Sequence, residues 1–441
     1  MIDTHAQDSI LQHRPYLVFW SSRLLSTLAY QMQVVAVGWQ MYGLTGSTFD
    51  LGLIGLVQFL PSIALLLVVG QVADRCDRRA IIGVARAVVA LAMAVLTLGS
   101  AFGWLDREWL LGFALVLGSA RAFEFPTGQA LVPNLVPTRL LSRAIAWSTS
   151  GVQAATIVGP ALGGWLYLAG APLVYGLCAG LFLISALVMP LVATHADTTA
   201  VRSRGKVSAE HLLAGIRFIF RTPLLLGAVS LDMFVVLLGG ATALLPVYAS
   251  EILHTDADGL GLLRSAPAVG ALLTALWFAR HPIERHVGQR LFASVTVFGL
   301  ATLVFGVSAD LWLSLAALFV LGAADMVNVV IRMTIVQLET PDAMRGRVSS
   351  VNSVFIGASN QLGEFESGVT AHWWGTVPAV VIGGIGTLGV ALLWRRLFPA
   401  LRERDHMHAP APSEPLYTAA LQSPLRAAHD PVCQRETPKQ P

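Results

Sequence analysis

Twelve apolar stretches follow one another along the chain, divided by short polar segments. They run roughly over 16–41, 51–72, 80–101, 109–131, 144–168, 172–193, 224–250, 259–279, 290–308, 311–335, 349–371 and 376–395. An α-helix needs about 20 apolar residues to cross about 30 Å of hydrocarbon. Each stretch therefore predicts one membrane-spanning helix. The runs are continuous rather than alternating ten-residue segments, which argues against a β-barrel. The first run carries Arg23 and follows polar residues, unlike a cleaved signal peptide.

Composition agrees with this pattern and narrows the class. Of 441 residues, 55% are hydrophobic and 12% charged, and the mean hydropathy is +0.66. An ordinary soluble domain is about 45–50% apolar and about 25% charged. So few charges cannot cover a water-soluble surface of this size, which excludes a soluble enzyme. Disorder is excluded for most of the length by the same apolar content. The net charge of +3 gives no reason to expect nucleic acid. Cys76, Cys178 and Cys433 are too widely spaced for a disulfide framework or a zinc pattern. His281 and His286 flank Pro282 in a polar loop, a poor metal site, and no Gly-x-x-x-x-Gly-Lys-Ser/Thr nucleotide loop occurs. The expectation is a polytopic membrane protein without metal or cofactor.

Positive charge sets the orientation. With the N-terminus in the cytoplasm, the inner loops hold fifteen basic residues, among them Arg75, Arg78, Arg79, Arg139, Arg143, Arg280, Arg285, Arg290, Arg345 and Arg347. The outer loops hold one, Arg107, with Asp50, Asp106, Glu108, Glu251, Asp256, Asp258 and Asp310. Both termini are then cytoplasmic. The expected organisation is a cytoplasmic tail at 1–15, a six-helix bundle at 16–195, a linker at 196–222, a second bundle at 223–398 and a disordered tail at 399–441. Within the linker, Ser208–Arg221 reads as an amphipathic helix along the cytoplasmic interface, capped by Ser208.

The halves repeat at an offset of 204. Val116-Leu-Gly-Ser-Ala-Arg121 matches Val320-Leu-Gly-Ala-Ala-Asp325, and Pro137, Arg143 and Gly159 match Pro341, Arg347 and Gly363. Six spans repeated in one orientation imply two similar bundles related by an axis along the membrane normal, able to rock around a central site.

Two motifs carry a family resemblance. The loop Gly70-Gln-Val-Ala-Asp74-Arg75-Cys-Asp77-Arg78-Arg79 resembles motif A of the major facilitator superfamily. The fifth span carries Gly159-Pro160-Ala-Leu-Gly163-Gly164, which resembles that superfamily's exporter motif C. Further residues resemble the transmembrane secretion effectors, the group of the enterobactin exporters: Trp39-Gln-Met-Tyr42, Leu244-Leu-Pro-Val-Tyr248, Gly259-Leu-Gly-Leu-Leu-Arg264 and Asn360-Gln-Leu-Gly-Glu364. The resemblance implies an all-α fold of twelve transmembrane helices in two pseudo-symmetric bundles, with spans 1, 4, 7 and 10 lining a central cavity. It also implies alternating-access transport of a small molecule, export of an amphipathic compound such as a siderophore or drug, and residence in the bacterial inner membrane as a monomer. No enzymatic activity is expected, and the proton gradient is the expected energy source. An importer or uniporter of the same fold stays open, as do an ATP-driven permease served by a partner chain and a non-transport receptor or enzyme.

Elementary physics gives the motifs work. Gly70 permits close helix approach. Asp74 can accept from amides at the start of the eleventh span, near Ser349 and Ser350, where the helix dipole favours a negative charge. Arg75, Arg78 and Arg79 can bridge to carboxylates or lipid phosphates. Such a latch would hold the cytoplasmic side shut. The equivalent loop in the second half lacks the glycine and has Glu284 for the aspartate, so a latch there is not expected. Pro160 removes a backbone donor, and Gly159, Gly163 and Gly164 allow tight packing.

Charges inside the spans need a partner or a task, since each costs at least about 2.5–3.5 kcal/mol at mid-bilayer. The candidates are Arg23, Arg121, Glu124, Asp232, Asp325, Glu364 and Glu366, with Arg264 and Arg332 near enough to helix ends to snorkel. Matched depth pairs Arg23 with Asp232, and the repeat pairs Arg121 with Asp325, across the cavity. Asp232 and Asp325 are the first choices for proton coupling, and Glu124 is placed to neutralise Arg121 three residues away. Tyr30, Gln31, Gln33 and Gln58 are further polar positions that can face the cavity.

Overall fold

The computed structural model describes residues 10–65, 68–69, 72, 75–192 and 209–407. Six long helices form the first half: α1 (Arg14–Thr45), α2 (Thr48–Ala64), α3 (Arg78–Phe102), α4 (Arg107–Leu131), α5 (Leu141–Tyr167) and α6 (Ala171–Val188). After the short α7 (Ala209–Arg221), the second half contains α8 (Pro223–Leu238), α9 (Ala257–Arg280), α10 (Val287–Val307), α11 (Leu311–Glu339), α12 (Asp342–Trp374) and α13 (Thr376–Leu397). The span of α8 breaks at Gly239–Gly240 and continues through short helical turns to Ile252. No strand occurs among the described residues; there is one isolated bridge, Arg285 to His406.

These helices fall on the twelve apolar stretches. Seven segments are long and apolar enough on their own to cross a membrane. The others, α1, α4, α5 and α12, are 25–33 residues long and carry more polar residues, while α2 has 17 described residues. A span packed inside a bundle tolerates polar positions that a lipid-exposed one does not.

The helix pairs repeat between the halves. In the first, α1 packs on α5 and α6, α2 on α4, and α3 on α4 and α6. In the second, α8 packs on α12 and α13, α9 on α11, and α10 on α11 and α13. Single residues repeat as well. Asp106 caps α4 by accepting from the Trp109 amide, and Asp310, 204 positions on, caps α11 by accepting from Leu313. Gly118 lets α4 lie on the Gln58 carbonyl of α2, where a Cβ would stand 2.2 Å from the oxygen. Gly322 does the same for α11 on Pro267 of α9, at 2.0 Å.

Two boundaries differ from expectation. The helix α12 starts at Asp342, seven residues before the apolar stretch, because a helix can run past the hydrocarbon into polar surroundings. Ser349 therefore lies inside the helix rather than at its exposed amides. Residues 399–407, expected in the tail, form α14 (Pro399–Arg402) and a strap against the loop between α9 and α10. Gly288 N donates to Arg404 O at 2.8 Å, and Arg404 pairs with Glu339 at 2.7 Å. The rest of the expected tail, 408–441, and Ser208 lie outside the described residues. Helix α7 packs on α8 and α12, with Gly215 against the Arg347 carbonyl and with Arg217, Phe220 and Arg221 exposed.

Candidate functional site

The halves meet along two helix pairs, α2 with α12 and α5 with α9. The close contacts sit toward the end away from the basic loops. Gly52 of α2 faces Gly368 of α12, and the Phe49 and Phe365 rings meet at 6.1 Å. Ser265 of α9 donates to the Ile157 carbonyl of α5 at 2.7 Å, and Gln153 donates to Ala268 O at 3.2 Å. Tyr42 donates to the Glu251 carboxylate, joining α1 to the end of the α8 span. Toward the basic end, Leu60 and Ile63 of α2 and Val354 of α12 are exposed. So are Ser353 and Asn360. Ser353 and Asn360 donate to carbonyls of their own helix, yet exposed polar side chains inside a span suit water better than lipid, and we read them as bordering a cleft between the halves that opens at the basic end.

In the first half one fully buried charge, Arg86, is enclosed by its partners. Arg86 on α3 is 2% exposed and pairs with Glu124 of α4, Nε and Nη2 each 2.8 Å from Oε1. Its Nη1 donates to Ser22 Oγ at 2.5 Å and to Ser185 Oγ at 2.8 Å. Those serines tie α1 to α6 through hydroxyl-to-carbonyl bonds of 2.8 Å. Glu124 thus neutralises Arg86 rather than Arg121. Spacing along one helix leaves the choice of partner open, and the neighbouring helix supplies a guanidinium at bonding distance. Arg86 is absent from the charges named above, although a lone arginine at the seventh position of the apolar run 80–101 is the same signal. Arg23 donates to Ser148 at 3.1 Å within its own half and does not reach Asp232.

The second half keeps a charge in reserve. Asp232 on α8 is 4% exposed. It accepts from Asn328 Nδ2 at 2.8 Å and lies 3.3 Å from Arg332 Nε on α11. Arg332 is 2% exposed and also donates to Asn352 of α12 at 2.9 Å. It is held in the interior and does not snorkel. Asn328 and Asn352, both missed in the sequence, complete its surroundings. Asp325 is half-buried on α11, within electrostatic range of Asp232 and Arg332. Among the described residues it makes no hydrogen bond or ion pair, so the expected Arg121–Asp325 pair does not form.

A third group of charges stands where the halves meet. The Arg121 guanidinium of α4 lies 3.9 Å above the Tyr30 ring of α1. Glu364 of α12 places its carboxylate against Gly55 of α2. Arg264 of α9 reaches toward Gly38 of α1 and interacts electrostatically with Glu364; it points inward rather than snorkelling. Gln33, one of the polar positions expected to face the cavity, is instead 1% exposed. Glu366 accepts from Thr370 at 2.8 Å on its own helix and joins none of these groups.

The motif residues have local roles. Gly70 and Asp74 lie outside the described residues. Arg75 is exposed. Asp77 caps α3 by accepting from the Arg79 amide at 2.9 Å. Arg79 Nη2 donates to Asp77 at 2.6 Å and its Nη1 to the Val192 carbonyl at 2.9 Å. Hydrogen bonds from Arg79 hold the Asp77 carboxyl below its usual range. In motif C, Gly159 and Gly163 pack α5 on α1, while Pro160 and Gly164 pack it on α9 of the other half. The glycines thus serve one close-packed seam inside a half and one between halves.

Known proteins resemble the chain over nearly its whole length. A family model described as transmembrane secretion effector matches residues 8–433. The enterobactin exporter EntS of Citrobacter koseri is 27% identical over 395 residues, covering 88% of this chain and 93% of the relative. That of Shigella boydii serotype 18 is 26% identical over 381 residues, covering 85% and 86%. Among solved structures, a bacterial homologue of the human lysosomal transporter Spinster, inward-facing and occupied, superposes with a TM-score of 0.69. It is 14% identical and covers 88% of this chain and 97% of its own. The nucleoside transporter NupG superposes at 0.65, with 14% identity and coverage of 87% and 99%. These structural likenesses establish the fold alone.

Proposed function

The chain belongs to the transmembrane secretion effector family, and from that premise we propose that it is a proton-coupled exporter of a small amphipathic molecule. It is a multi-pass membrane transporter of the major facilitator fold, not an enzyme. In this reading it lies in the bacterial inner membrane with the basic loops and both termini in the cytoplasm. The cleft then opens inward, ready to load cytoplasmic substrate. Siderophores come first for testing because the curated relatives are named for enterobactin.

The observation that carries coupling is Asp325. Arg332 balances one carboxylate, and Asp232 takes it at 3.3 Å. Asp325 is left to a proton or to another cation. When the bundles rock, the face of the first half that borders Asp325 changes while Asp232 and Arg332 keep their places beside it, and the carboxylate's hold on a proton changes with it. A proton bound from one compartment is then released to the other. The motif A loop, with Asp74 as acceptor, belongs to the opposite state, in which the basic ends of the halves close on each other.

Transport into everted membrane vesicles tests this directly. With enterobactin and a drug panel offered, an acid-inside gradient should drive accumulation, and collapsing it should stop it. Asp325→Asn should lose gradient-driven accumulation yet keep downhill exchange. Accumulation indifferent to the pH gradient would remove the coupling, and net uptake by intact cells would reverse the direction.

A further inference from the structure

We infer that the top of the cleft is an anion site in which Arg121 and Arg264, one from each half, hold an acidic group of the transported molecule. This rests on the transport reading and adds the chemical class of the substrate. Arg121 belongs to α4 and Arg264 to α9. Both reach α1, Arg121 over Tyr30 and Arg264 beside Gly38, and one carboxylate, Glu364, is within electrostatic range of both. Two guanidinium groups against one carboxylate leave an excess positive charge in a low-dielectric region.

The hydrogen bonding points the same way. Among the described residues, neither arginine makes an ion pair, and Glu364 accepts no hydrogen bond. The Arg264 Nε is buried and reaches no acceptor. Arg121 lies over the Tyr30 ring at 3.9 Å, which steadies the guanidinium plane without using its in-plane donors. This differs from Arg86, whose donors are taken by Glu124, Ser22 and Ser185.

A guanidinium fork matches the two oxygens of a carboxylate, and charge-assisted bonds of this kind are the strong ones. The ligand is therefore an organic acid with an apolar or aromatic body, its anionic group between the arginines and its body toward Tyr30. Because the two cations come from different halves, the ligand bridges the bundles and can bias their rocking. Glu364 is its internal competitor. Removing that carboxylate should tighten binding of an anion, the reverse of what removing either arginine should do.

Binding of three near-isosteric probes to the purified full chain in lipid nanodiscs tests this without any gradient. Benzoate should bind about tenfold or more tighter than benzamide, and benzylamine should bind least. Arg264→Gln and Arg121→Gln should lower benzoate to the benzamide level, Arg264→Lys should retain part of the preference, and Glu364→Gln should raise it. Should an arginine variant fail to fold, the opposite sign at Glu364→Gln carries the test alone. Benzoate binding no tighter than benzamide, or a preference unchanged in Glu364→Gln, overturns the site. Gradient-driven export of neutral or cationic compounds alone would keep the transport reading and overturn the anion site. Charge-selective binding with no transport would keep the site and overturn transport.

Discussion

The two halves share one helix plan but treat buried charge differently. In the first, Arg86 is enclosed by Glu124, Ser22 and Ser185, and each guanidinium nitrogen has a partner. In the second, Arg332 is divided between Asp232 and Asn352, and Asp325 beside them has no partner among the described residues. A closed network fixes four helices to one another, α1, α3, α4 and α6. An open one leaves an ionisable group whose energy depends on its neighbours' positions. On the proposed reading, one bundle is the rigid body against which the other moves a proton.

The sharpest break in that comparison is at Arg86. Arg86→Met leaves Glu124 without its guanidinium and should cost about 3–5 kcal/mol. Thermal unfolding in detergent should show a large drop, with much of it recovered in an Arg86→Met, Glu124→Leu double variant. Asp325→Asn should shift unfolding far less, since no bond is lost. Equal losses at Arg86 and Asp325 would erase the contrast.

The next effect is one the halves should share. Gly118→Ala and Gly322→Ala each drive a Cβ to about the same short distance from a backbone oxygen, 2.2 and 2.0 Å. Neither oxygen can yield as a side-chain tip would, so each change should cost about 1–3 kcal/mol. Unequal losses in thermal unfolding would show that the repeat is sharper in one half than in the other.

The repeat was legible from Val116–Ala120 against Val320–Ala324 and from Pro137, Arg143 and Gly159 against Pro341, Arg347 and Gly363, and the helix ends bear it out at Asp106 and Asp310. Apolar runs located the spans because membrane crossing is a demand on length and polarity alone. Choice of partner was not legible. The pairing of Glu124 with Arg86 depends on how α3 rests on α4, and the interior positions of Arg264 and Arg332 depend on which face each helix turns inward. Nor does an apolar run mark where a helix starts, as the early beginning of α12 at Asp342 shows. The candidate charges were mostly found as residues and mostly mispaired, because sequence gives depth in the membrane but not azimuth around the helix.

The smallest effect expected lies at the basic end. Asp77→Ala removes a helix cap and an exposed ion pair and should cost about 1 kcal/mol. The Asp77 carboxyl is held below its usual range by Arg79. Its contribution is therefore present above the unfolded carboxylate value of about 3.9 and is lost as the pH falls below it. Stability curves of the parent and Asp77→Ala should converge in acid, and a gap that persists there would assign the effect to something other than this carboxylate.

The central claim, that the open network of the second half carries the proton, is tested most directly by proton release. A compound identified by the vesicle assay is added to purified protein in weakly buffered detergent near neutral pH, and the pH is followed. The account predicts release on binding by the parent protein and by Glu124→Gln, if that variant folds, and none by Asp325→Asn. Release undiminished in Asp325→Asn would contradict it.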